Sequence, residues 1–176
     1  DMQTPEQVKD PRIIAQLKKF REDGKTKYLG FSMHNHKPEL IDAAVEAGIY
    51  DIILISYNFK LENIKETDEA IVRGAKAGLG FVAMTTMTGG SEDAEGAKKV
   101  NGKACLRWVW KNENIATAIP GFTSFDLLDD CMAAANNLKF TEADKEYLAA
   151  LCDEEGLFCR QCGKCREQCP ERLPIP

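Results

Sequence analysis

The chain has 176 residues, 44% of them hydrophobic and 29% charged, with a net charge of −5 and a pI near 5.2. That length suits one domain with a real core, or a piece of something larger, and the composition excludes a disordered tract. The acidic balance leaves no electrostatic footprint for nucleic acid, no apolar run approaches the ~20 residues of a membrane span, and the N-terminus lacks the basic and apolar regions of a secretion signal.

In chain order, Ile13, Ile14, Leu17 and Phe20 recur at helical spacing, with Gly24 placed to stop the helix. The run KYLGFS predicts a buried strand. Pro38 opens a helix whose apolar face is Leu40, Ile41, Ala44 and Val45, ended by Gly48. The run DIILIS has no polar alternation, as expected of a strand covered on both faces. A helix over Glu66 to Ala77 and a strand at FVAMT follow, then a long loop over residues 86–102 whose SEDAEGAKK stretch reads as mobile and solvated. KACLRWVWKN predicts a helix with Trp108 as its core tryptophan. IATAIPG predicts the fourth strand, SFDLLDDCMAAANN a helix with Asp129 and Asp130 on its surface, and TEADKEYLAALC a last helix opened by Thr141 and Asp144 as a capping box.

Strand and helix thus alternate four times after a leading helix, which demands a parallel α/β sheet with right-handed crossovers. Four parallel strands form either a small open doubly wound sheet or half of an eight-stranded barrel. Both place chemistry at the C-terminal strand ends, here Ser32 to His36, Ser56 to Asn58, Met84 to Gly90 and Pro120 to Ser124.

Seven cysteines, an odd number, with Cys105, Cys131 and Cys152 single on helical segments, fit a reducing, cytoplasmic compartment better than a secreted disulfide scaffold. Cys159, Cys162, Cys165 and Cys169 have the spacing C-x2-C-x2-C-x3-C, followed by Pro170. Such a run reaches the corners of an iron–sulfur cubane, so the metal ligands are read as these four thiolates holding a [4Fe-4S] cluster. Zinc, or free or redox-paired thiols, are the other readings, and Cys152 is the alternative fourth ligand to Cys169. The organisation read is residues 1–151 as a partial barrel and 152–176 as a ferredoxin-type segment.

The segments GKTKYLGFSMHN, YDIILISYNF, GLGFVAMTTMTGG and CLRWVWKNENIATAIPGFTSFDLLDD, in that order and with the terminal cysteines, resemble the second half of an aldo/keto reductase, of the branch ending in a ferredoxin-like cysteine run. The resemblance implies the C-terminal half of a (β/α)8 TIM barrel that transfers hydride between NADP(H) and a small-molecule carbonyl or alcohol. It puts the catalytic acid–base tetrad upstream of this chain, so no catalytic residue is assigned. Ser32 matches a serine that binds the nicotinamide carboxamide, with Met33 where its asparagine neighbour stands. Leu54 stands in place of a glutamine, and Met84 in place of the aromatic that stacks on the nicotinamide. Thr85, Thr86, Gly89 and Gly90 fall in the segment over the pyrophosphate. Gly121 and Leu127 stand at the 2′-phosphate-binding lysine and arginine and Cys131 at an adenine-binding asparagine, while Thr123 and Ser124 near a helix start suit a phosphate.

Other residues carry plainer readings. His34 to His36 is expected to be a solvated strand-end loop, Tyr57 to pack half-buried with a wet hydroxyl, and Gly89–Gly90 to be a turn before it is a phosphate cradle. The expected function is an oxidoreductase whose cluster is a one-electron relay or a structural clip, with an external electron-transfer partner open. The rivals are a non-catalytic electron-transfer or partner-binding module and a zinc-stapled structural domain. A fragment would expose an apolar strand edge at KYLGF.

Overall fold

The computed structural model describes residues 1–88, 101–122, 124–152 and 169–171. Its elements are α1 (Pro5–Val8), α2 (Pro11–Glu22), β1 (Gly30–Met33), α3 (Lys37–Ala47), β2 (Ile52–Ser56), α4 (Ile64–Lys76), β3 (Gly80–Met84), α5 (Gly102–Val109), β4 (Ile115–Ala118), α6 (Phe125–Asn136) and α7 (Glu142–Cys152). The strands form one parallel sheet in the order β1-β2-β3-β4, so sequence neighbours are also spatial neighbours. All four C-terminal strand ends therefore lie along one rim.

Side chains alternate across the sheet, and the two faces differ. Met33, Ile53, Ile55, Phe81 and Ala83 point to the helices and are buried. On the other face the register aligns Ser32, Leu54, Val82 and Thr117 in one row and Gly30, Ile52 and Gly80 in another. That second face is open: Ile52 is 39% exposed, and Leu54 and Val82 are partly exposed. The expectation that DIILIS is covered on both faces is corrected, because the described residues place helices on one side only.

Close packing decides where glycine stands. A Cβ on Gly30 would sit 2.3 Å from the Ile52 carbonyl oxygen, and one on Gly74 would sit 2.7 Å from Phe81 Cζ, so α4 rests on β3 through a bare backbone. Gly24 and Gly48 adopt positive φ of 69° and 62°, which makes them helix stops as read from the sequence.

Helix α2 forms as its spacing predicts, capped by Asp10, whose carboxylate accepts from the Arg12 N–H at 2.8 Å, yet none of its residues is buried. Ile14 and Leu17 pack only partly against the core. The strand read from KYLGFS begins at Gly30, with Leu29 buried and Tyr28 largely exposed. As an edge of the described sheet, β1 receives a bond from the Met2 N–H to the Ser32 carbonyl at 2.8 Å. The Thr141–Asp144 box opens α7 as expected: the Asp144 N–H donates to Thr141 Oγ1 at 3.2 Å and the Thr141 N–H to Asp144 Oδ2 at 2.9 Å. Trp108 in α5 and Trp110 at its C-cap are both partly buried against the core, so the choice of Trp108 alone is corrected.

Candidate functional site at the strand ends

The rim is built from short polar segments that follow each strand. At the end of β2, Ser56 is fully buried and its hydroxyl contacts that of Thr85, the first residue past β3. Asn58 bridges the same two segments: its Nδ2 donates to the Thr85 carbonyl at 3.2 Å and its Oδ1 accepts from the Lys60 N–H at 3.0 Å. The Tyr57 N–H donates to the Met84 carbonyl at 3.0 Å. These bonds lock the end of β2 to the end of β3, and a buried asparagine with both ends engaged is a brace rather than a ligand contact.

Past β3 the backbone is held in an uncommon conformation. Thr85 and Thr88 have φ of 51° and 63°, the left-handed region that β-branched residues avoid. Such strain persists only where surroundings over-determine it, and it gathers at functional sites. Thr86 and Thr88 are buried, and among the described residues neither Oγ1 has a hydrogen-bond partner. A buried hydroxyl left unpaired costs ~1–3 kcal/mol. The two lie in one turn at the end of β3.

The other residues read from the sequence fall along the same rim. Ser32, half-exposed, is on the open face of β1, and Met84, half-buried, is on the open face of β3. Met33, next to Ser32 in the sequence, points the other way and is fully buried, so the position the resemblance aligns with an asparagine is a core side chain here. Gly121 is exposed, with nothing within 4 Å of where a Cβ would stand. Ser124 Oγ accepts from the Leu127 N–H at 3.3 Å and so caps α6. Leu127 and Cys131, at positions the resemblance gives to 2′-phosphate and adenine ligands, are buried in the cluster formed with α5 and α7. Burial pushes the Cys131 thiol up, and the Cys105 thiol up to about 12, so both are inert packing groups. Gly89, Gly90, Thr123, Cys159, Cys162 and Cys165, with the SEDAEGAKK stretch, lie outside the described residues. Cys169 is described, half-buried and without a disulfide.

Two side chains depart from their sequence reading. Tyr57 is 2% exposed and its hydroxyl is not wet: it donates to Asp68 Oδ1 at 2.6 Å, and burial followed by that carboxylate raises its pKa. Lys37 was not singled out, yet it is 2% exposed at the first position of α3, with its Nζ donating to the His34 carbonyl. Burial lowers its pKa to about 8. The available signal was a lysine just before Pro38, in a first helical turn where positive charge is disfavoured. His34 and Asn35 are half-buried and His36 exposed at φ 51°, in keeping with a strand-end loop.

A four-stranded parallel α/β sheet with polar strand ends along one rim is the class this geometry defines. Its fold is similar to part of several aldo-keto reductase structures. The holo form of aldo-keto reductase AKR11C1 from Bacillus halodurans superposes with a TM-score of 0.60 at 15% identity, covering 86% of this chain and 59% of that one. Its apo form gives 0.59 at 16% identity, covering 85% and 59%. PA4992 from Pseudomonas aeruginosa, a protein assigned to the aldo-keto reductases, gives 0.53 at 16% identity, covering 79% and 48%. The chain thus spans roughly half to three fifths of these structures' length. No family model matches the sequence, and no curated protein matches it. No helix among the described residues is long and apolar enough to cross a membrane.

Proposed function

We propose that the protein is an oxidoreductase of the aldo/keto reductase type, in which the rim of β1, β3 and β4 holds NADP(H) for hydride exchange with a small carbonyl or alcohol. The observation that carries this reading is the pair of buried, unpartnered hydroxyls of Thr86 and Thr88 in the strained turn after β3. They fit the oxygens of a pyrophosphate, which Gly89 and Gly90 would approach with bare backbone. Ser32 would hold the carboxamide from the open face of β1, and Met84 would offer a polarizable surface to the ring. Gly121, Thr123 and the N-terminus of α6 at Ser124 would face the remaining phosphate. A bound nicotinamide would supply the hydride, and no described residue is assigned the proton. Titration with NADPH, followed by its fluorescence, tests the reading: saturable one-to-one binding supports it, and a flat titration overturns it.

The four-thiolate set Cys159, Cys162, Cys165 and Cys169 fits a [4Fe-4S] cluster by donor chemistry and spacing. Bound there, the cluster would supply one-electron transfer or a covalent clip for the C-terminal segment, and an electron-transfer partner would then meet residues 152–176. Anaerobic purification followed by iron and sulfide analysis tests it; zinc in place of iron would overturn it.

A second reading, a non-catalytic iron–sulfur module presented by the partial barrel, is favoured by one observation. Leu127 and Cys131 are core residues, so α6 offers no side chain at those positions to the adenosine half of a dinucleotide.

A further inference from the structure

The helix layer has a gap. Helix α3 packs on α4, and α5 on α6, whereas α4 and α5 share little contact among the described residues. Between them lies a groove of about 430 Å³, lined by Tyr57, Asp68, Val72, Trp108 and Asn112 among others. It is on the helix-covered side of the sheet, because Tyr57 continues the side of Ile53 and Ile55, whereas Ser32 and Met84 stand on the opposite side. The groove shares Tyr57 with the strand-end rim but otherwise opens on the helix side.

Its chemistry is specific. Asp68 Oδ1 accepts from the Tyr57 hydroxyl at 2.6 Å and from Asn112 Nδ2 at 3.0 Å, which fixes the carboxylate in place. Oδ2 accepts no hydrogen bond among the described residues, and no lysine, arginine or histidine there forms an ion pair with Asp68. Lys111 also lines the groove, but its ammonium stands 4.8 Å from the centre of the Phe140 ring. The Trp108 ring packs on Tyr57 at 5.2 Å between centroids, and Val72 is partly exposed beside it. A preorganised carboxylate without a cation, next to an indole and an aliphatic wall, complements a positively charged group on an apolar body. The volume falls in the range of small-molecule sites, and the net charge of −5 favours a cation at long range.

We propose that the α4–α5 groove is a binding site for a small organic ammonium compound, whose cationic nitrogen pairs with Asp68 Oδ2 while its apolar part lies along Trp108 and Val72. The site is independent of the dinucleotide reading. The test is calorimetric titration of the full chain with benzylamine, and with benzyl alcohol and benzoate as neutral and anionic counterparts of the same shape. Benzylamine is expected to bind saturably and at least about tenfold more tightly than either, as a charge-assisted contact implies. Asp68→Asn, which keeps an acceptor for the Tyr57 hydroxyl, is expected to remove that margin with the melting temperature retained. Val72→Trp, which fills the groove without touching the carboxylate, is expected to abolish binding. Equal affinity for the three probes, no saturable binding, or a benzylamine affinity unchanged in either variant would overturn the proposal.

Discussion

Arg107 Nη1 lies 3.2 Å from Asp144 Oδ2, a contact in which both side chains are almost wholly buried and through which α5 holds α7. The same carboxylate accepts from the backbone and hydroxyl of Thr141 at the start of α7. Burial opposes its ionisation, but those bonds and the guanidinium outweigh burial and hold it below the usual carboxylate range. Asp144→Ala leaves a buried guanidinium without its carboxylate and removes a cap, so a loss of about 3 kcal/mol is expected in urea unfolding. Because the folded pKa is depressed, this contribution is present at neutral pH and lost as pH falls through the folded value. The gap between wild type and variant should therefore close below about pH 4.

Gly74→Ala sets helix propensity against packing. Alanine is the better helix former by about 1 kcal/mol, but its methyl would meet Phe81 Cζ at 2.7 Å and Ile41 Cγ2 at 3.0 Å. Overpacking a fully buried contact costs about 1–3 kcal/mol, so packing wins and the melting temperature should fall.

Lys37→Met should reveal the cost of a buried ammonium. With its pKa lowered to about 8, the folded state gives up the proton sooner than the unfolded chain. Wild-type stability should then rise relative to the variant between about pH 8 and the unfolded lysine value near 10.4, by a total of roughly 3 kcal/mol. Paired unfolding curves across that window check it; parallel curves would show that burial does not shift this amine.

Serine at Cys159, Cys162 or Cys165 should lower the iron content of anaerobically purified protein well below the roughly four atoms of an intact cubane. Serine at Cys105 should leave the iron content unchanged, since that thiol is buried, pushed up to about 12, and packed among the side chains of α5 and α6.

Much of the architecture was legible because it rests on local pattern. The apolar runs from Ile52 and Phe81, the stops at Gly24 and Gly48, and the Thr141–Asp144 box each carry their signal within a few residues. Helix α1 was readable too and was missed: Thr4, Pro5 and Gln7 make a capping box with proline at its first position. What stayed hidden is what depends on distant partners. The run of isoleucines gives no sign that Ile52 is exposed while Ile53 is buried, because that depends on what covers each face. The Tyr57 hydroxyl finds Asp68 eleven residues on, across a strand-to-helix connection, and Asn58 braces Thr85 twenty-seven residues away. The strand-end residues were placed on one rim by topology alone, whereas the unpartnered hydroxyls of Thr86 and Thr88 emerged only from three-dimensional burial.

Backbone hydrogen exchange of the full chain with and without NADPH tests the central claim most directly. Saturable slowing of amide exchange at Thr86–Thr88 and around Ser124, with α2 unaffected, is the predicted result. Protection confined to other elements, or none at saturating NADPH, would contradict it.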